Sequence, residues 1–194
     1  MGTDAGRRRR TSRMVTLACA GILLLPVTAC AAEPSPAPTS APPTAAPIFA
    51  TDEEALAAAE EAYANYLSTY DASWADGDGS LDDYLALTVG EAHQTDEQSY
   101  AEWDSKNWRP IGTTKFDSIR LQSRSQDESG IWHIQTYLCI DVSDGDVVDS
   151  SGASVARPDR PLRLPLEVSF VTVSRSSAEL KISESEVWSG TNFC

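Results

Sequence analysis

The chain is 194 residues long and carries 29 acidic against 15 basic side chains, a net charge of −14 with histidine neutral. That length suits one domain of ordinary size, and so large an acid excess excludes nucleic acid as a partner, because phosphates repel such a surface. No phosphate loop, Gly-x-Ser-x-Gly elbow, His-Glu-x-x-His, Cys-x-x-Cys or dinucleotide fingerprint occurs, so no cofactor is expected and no motif spells out an activity.

At the N-terminus, Arg7, Arg8, Arg9, Arg10 and Arg13 precede an apolar run from Met14 to Val27, which is followed by Thr28, Ala29 and Cys30. A positive segment, an apolar segment and small residues are the parts of a secretory signal. The apolar run is interrupted by Pro26 and is shorter than the roughly 20 residues that span a bilayer core. Val27-Thr28-Ala29-Cys30 resembles the bacterial lipobox, an aliphatic residue and two small ones before an obligatory cysteine. The resemblance implies that residues 1–29 are removed and that Cys30 becomes a lipid-bearing N-terminus. A diacylglyceryl group supplies the two chains that stable anchoring requires. The expected location is therefore the outer face of the bacterial cytoplasmic membrane, with the membrane itself as a partner. Two alternatives stay open: an ordinary cleaved signal whose cysteine is incidental, and twin-arginine export, whose consensus the residues around the arginines match poorly.

Removing 1–29 takes away five arginines and one aspartate, which leaves the mature chain at −18. Residues 30–50 form a second region, with Pro34, Pro36, Pro38, Pro42, Pro43 and Pro47 among Ala, Ser and Thr. Such a stretch builds no core and favours extended, polyproline-like backbone, a stalk of roughly 60 Å at most. Of the four cysteines, Cys19 lies in the signal and Cys30 in the lipobox. The remaining two, Cys139 and Cys194, are most simply a disulfide in an exported chain. The alternative, a catalytic thiol, lacks a neighbouring His or Lys pattern to lower its pKa.

Residues 51–194 carry the folding signals. Thr51-Asp52-Glu53-Glu54 has the form of a capping box, and Leu56, Ala59, Tyr63, Tyr66, Leu67, Tyr70 and Trp74 then recur at helical spacing. This predicts a helix of about six turns with one aromatic-rich stripe, which either packs on a sheet or walls a ligand cavity. Gly77 and Gly79 end it, and Ser80 starts a second helix with Leu81, Tyr84, Leu85 and Thr88 on one face. A third starts at the Thr95/Gln98 box, carries Tyr100 and Trp103, and breaks at Arg109-Pro110-Ile111-Gly112. From there the period alternates: strands are predicted over Lys115–Arg124, Ile131–Val142, Leu162–Phe170 and Glu179–Trp188, with turns between them.

Helices followed by an antiparallel meander make an α+β domain, N-terminal helices packed on a curved antiparallel sheet. The element order, the Ala- and Tyr-rich first helix and the closing Trp188-Ser189-Gly190 resemble an NTF2-like cone or roll, as found in exported lipoproteins of Gram-positive bacteria. The resemblance implies a cavity between helix and sheet. It does not choose a function, since this fold hosts enzymes, transport factors and interaction modules.

Candidate chemistry is sparse. His93, beside Glu91 and Asp96, reads as a solvated surface residue. His133, Tyr137 and Asp141 share the polar side of their strand; they form an acid–base set if that side lines the cone and surface residues if it faces solvent. Asp76, Asp78, Ser80 and Asp82 resemble the middle of an EF-hand calcium loop, but Trp74 and Leu85 occupy the positions of its first aspartate and its bidentate glutamate. A helix-to-helix turn explains the string as well. Asp141, Asp144, Asp146 and Asp149 read as hairpin loops. The expected function is a binding or interaction module of the envelope, without catalysis. The alternatives are a small-molecule carrier or enzyme that uses the cavity, and a structural accessory to an envelope complex.

Overall fold

A computed structural model describes residues 47–75 and 79–194. The signal segment, Cys30 and most of the stalk lie outside the described residues, as do Asp76, Gly77 and Asp78. The first helix, α1 (Asp52–Trp74), starts at the predicted capping box: Thr51 Oγ1 accepts the Glu54 amide, and the Glu54 carboxylate takes the Thr51 amide in return. Ala55, Ala59, Tyr63 and Leu67 are its buried apolar residues. Ala55 rather than Leu56 fills the core at the first turn.

Helix α2 (Leu81–Leu85) is capped by Ser80, whose Oγ accepts the Asp83 amide. Helix α3 (Gly90–Ser105) begins five residues before the predicted Thr95 box, after Val89, with no side-chain cap. Tertiary pairing sets that start. Val89 N–H donates to Ile182 O at 2.8 Å and Ile182 N–H to Leu87 O at 3.0 Å, so the connector is pinned to a strand edge before the helix begins, and Gly90 turns with φ +60°.

The main sheet has the order β2-β3-β5-β6 and is antiparallel throughout: β2 (Lys115–Gln126), β3 (Trp132–Asp141), β5 (Arg163–Thr172) and β6 (Leu180–Val187). Register shifts interrupt β2 at two places and β6 at one, and irregularities of this kind bend a sheet. Two short strands form a second sheet, β1 (Arg109–Gly112) with β4 (Gly145–Val148), paired Arg109 to Val148 and Gly112 to Gly145. These two strands arise where the sequence reads as a helix break and a hairpin loop.

Trp132, Ile134, Thr136 and Leu138 of β3, Leu166, Val168 and Phe170 of β5, and Leu180 and Ile182 of β6 are buried. The apolar ones form one cluster with Ala55, Ala59, Tyr63 and Leu67 of α1. The architecture is thus the expected α+β one, with helices packed on a curved antiparallel sheet. The opposite face of the sheet is treated differently. Cys139 and Cys194 are joined in a disulfide, Cα to Cα 5.7 Å; Trp188 and Phe193 of the C-terminal segment meet Tyr137 edge-on at 5.0 and 5.9 Å. Cys139 is therefore buried by the tail rather than by the helical core. No described helix is long and apolar enough to cross a membrane.

Candidate functional site: an aromatic cavity between the helices and the sheets

The size of the side chains along α1 decides where space remains. Ala55 and Ala59 allow close helix-to-sheet approach at its N-terminal end, whereas Tyr63, Tyr66, Tyr70 and Trp74 bring large rings to the other. A cavity of about 420 Å³ opens there, within the range of small-molecule sites. Helix α2 adds Tyr84, α3 adds Asp96, Tyr100 and Trp103, and the β1/β4 sheet forms a facing wall through Ile111 and Val147. Ile140 and Leu166 contribute from the main sheet.

The rings pack in two groups. Tyr66 and Tyr70 lie 5.2 and 5.3 Å from Tyr84, and Trp74 stacks on Tyr100 at 4.0 Å with 25° between planes. One polar chain runs through the first group. Tyr66 Oη donates to both Asp96 oxygens, at 3.1 and 3.2 Å, and lies 2.8 Å from Tyr84 Oη. A phenol has one proton, so Tyr84 donates to Tyr66 and Tyr66 to Asp96. Tyr100 Oη donates to Ser73 O at 3.3 Å, which ties α3 back to α1.

Burial raises the pKa of the Asp96 carboxyl; the neighbouring Tyr84 and Tyr66 phenols and His93 pull the other way without cancelling it. Asp71, on the same wall, is also raised by burial. Tyr66, Tyr84, Tyr63 and Tyr70 are all driven upward, first by burial and then by nearby carboxylates and phenols. These phenols stay neutral at any ordinary pH, so they serve as donors and π faces rather than as acids. Among the described residues the lining holds neither histidine nor cysteine.

The sequence candidates fall elsewhere. His133, Tyr137 and Asp141 lie on the sheet face away from the helices, so of the two alternatives for that side of the strand the outward one holds and they do not line the cavity. Strand alternation sends Trp132, Ile134, Thr136 and Leu138 into the core, so their neighbours must point outward. There His133 Nε2 meets the Asp127 carboxylate at 3.2 Å, Gln122 donates to Tyr137, and Arg163 Nη1 donates to Asp141 at 3.0 Å. The surface reading of His93 is corrected: it is half-buried, with Nδ1 3.0 Å from Leu85 O and 3.3 Å from Thr88 Oγ1. Of the calcium string, Asp76 and Asp78 lie outside the described residues, while Ser80 caps α2 and Asp82 sits in its first turn. Among the described residues no cluster of three or more His, Cys, Asp or Glu side chains is placed to hold a metal.

No protein-family model matches the chain, and no curated protein matches it in sequence. Solved structures similar in shape at low identity include the following three. The intermembrane space region of chloroplast protein ARC6 has 12% identity and a TM-score of 0.46, covering 68% of this chain and 95% of its own. A periplasmic fragment of TraM has 11% identity and a TM-score of 0.45, covering 72% and 98%. Aln2 from a Streptomyces species has 13% identity and a TM-score of 0.39, covering 71% and 91%. Such distant likenesses say nothing of ligand or partner, and the site has to be read from its own chemistry.

Asp96 and Asp71 are the residues that sequence reading missed as a site. The signal was present: Asp96, Ser99, Tyr100 and Trp103 fall at positions i, i+3, i+4 and i+7 of α3, which puts an acid on that helix's aromatic stripe.

Proposed function

We propose that this chain is a lipid-anchored module of the bacterial envelope that binds a small molecule in the aromatic cavity, without catalysing a reaction on it. The observation that carries the binding reading is the cavity: about 420 Å³, walled by rings from three helices, with Tyr84, Tyr66 and Asp96 converging on it in one hydrogen-bonded chain. Apolar walls supply most of the affinity of such a site, and a few placed polar groups supply orientation. The lipobox ending at Cys30 supports anchoring, and the Cys139–Cys194 disulfide supports residence in an oxidising compartment.

The binding test fills the cavity. Ala156 lines it from the β4–β5 connection, so Ala156→Trp is expected to abolish the fluorescence gain of Nile red on the full-length protein while leaving the thermal midpoint unchanged. An equal gain in both proteins, or none in either, overturns the reading. Anchoring is tested separately: Cys30→Ala is expected to move the protein from the detergent phase to the aqueous phase in Triton X-114 partition.

A further inference from the structure

We infer that the cavity selects an organic cation, an alkylated or quaternary ammonium group seated in the cavity against the rings of Tyr66, Tyr70, Tyr84 and Trp74 and facing the Asp96 carboxylate. This rests on reading the cavity as a ligand site and adds the charge and chemical class of the ligand.

The first observation is the composition of the wall. Aromatic faces attract cations through the ring quadrupole, most strongly once the cation has left water, and cages of several rings are the usual receptor for quaternary ammonium groups. Here rings arrive from α1, α2 and α3 and are already held in contact with one another, so little ordering is left for the ligand to impose.

The second observation is charge. Asp71 and Asp96 line the cavity, and among the described residues neither has a basic nitrogen within 4.0 Å. A carboxylate withdrawn from water without a counter-ion is costly. Tyr66 supplies only one donor to Asp96, which leaves most of its acceptor sites free. The basic residue of the lining is Arg160, which reaches it from the β4–β5 connection and donates Nη2 to Gly145 O at 2.6 Å. It is therefore engaged at the other wall. A ligand bearing net negative charge would meet two unpaired carboxylates.

The third observation separates an organic cation from a metal ion. Hard cations require several oxygen ligands in one shell, and the described residues offer no cluster of three acidic groups. The cavity presents carbon faces around a small number of oxygens. A cation whose charge is spread over an alkyl shell matches that surface, because the shell contacts rings while the charge is felt by Asp96.

The test compares phenyltrimethylammonium with tert-butylbenzene, its uncharged carbon isostere of the same shape, by calorimetry on the full-length protein in detergent. The cation is expected to bind about tenfold more tightly or better. Asp96→Asn is expected to bring the two within about twofold of each other without weakening the isostere. Asp71→Asn serves as a second variant if Asp96→Asn fails to give the native circular dichroism. Isostere binding equal to or tighter than cation binding overturns the cation inference and leaves the cavity reading standing, as does a preference that survives both substitutions. Binding of neither probe to folded protein overturns both.

Discussion

Asp96 and Asp141 are both aspartates within reach of tyrosine-bearing elements, yet the two sides of the sheet treat them in opposite ways. On the helical side Asp96 is half-buried beside neutral phenols, and its carboxyl is pushed up. On the outer side Asp141 is held low by the Ser143 hydroxyl and amide and by Arg163. The outer side satisfies its charges with charges supplied by the chain. The inner side brings carboxylates into a ring-lined space and supplies no cation within salt-bridge distance among the described residues. Uncompensated charge next to apolar walls costs stability, and proteins keep such arrangements where function uses them.

The largest effect that would break this contrast lies in the core joining helix and sheet. Phe170 is fully buried among the apolar residues of β3, β5 and α1, so Phe170→Ala is expected to cost about 3–5 kcal/mol in urea unfolding. Loss of the disulfide follows. The bond closes a loop of 55 residues, worth about 4 kcal/mol in the chain-entropy model. Cys194→Ser is expected to lower the urea midpoint by a corresponding amount and to free the tail that covers Tyr137. Because the bond lies on the outer face, Nile red binding in the cavity should persist in this variant; its loss would show that the two sides are coupled.

How much of this was legible in the sequence depends on the range of the signal. Helix α1 announces itself through the Thr51 box and its three-and-four spacing, and β3 and β5 through alternation over ten residues each. Those patterns repeat enough to be read locally. Strands β1 and β4 have four residues each, too few for a period, and exist because they pair with each other. The start of α3 is set by Ile182, which lies far along the chain from Val89. Alternation placed His133, Tyr137 and Asp141 together on one side of β3 but could not say which side met the helices. The buried status of Trp132 through Leu138 decides that. Asp96 was hidden for the converse reason: it looked like a surface acid beside His93, and only the packing of α3 against Tyr66 and Tyr84 makes it a cavity group.

The cavity prediction comes next in size. Beyond its effect on cation preference, Asp96→Asn is expected to leave the thermal midpoint unchanged or raise it. The substitution removes a partly desolvated charge, and its amide oxygen still accepts from Tyr66. A residue required for folding would behave in the opposite way. Thermal unfolding of the two proteins side by side reads this directly, and a clear drop in the midpoint would mean that the carboxylate is structural.

The smallest effects separate the two regions by pH. Asp96 and Asp127 have opposite shifts, so their contributions to stability have opposite signs. The Asp96 carboxyl is raised in the folded chain. The native state therefore holds its proton where the unfolded state, near 3.8, has lost it, and the penalty of the partly desolvated charge grows as pH rises through the folded pKa. Titratable groups around it are Tyr63, Tyr66, Tyr70, Tyr84 and His93; the phenols do not ionise in this range. Asp127, on the exposed Asp127–Ile131 turn, is depressed, first by the Ser129 hydroxyl and then by His133 and the Ile131 amide. Its contribution is complete above the unfolded value of 3.8 and fades as pH falls below it. Asp96→Asn should thus flatten the stability profile above that value, and Asp127→Asn should flatten it below. His133→Ala tests the outer pair alone: both partners are largely exposed, at 48% and 41%, and solvent screens such contacts. The expected result is a midpoint indistinguishable from the parent at neutral pH, because Ser129 and Ile131 still hold the Asp127 carboxylate. A large loss in His133→Ala would mean that the outer face is more than a satisfied surface, and would return His133 to the set of functional residues.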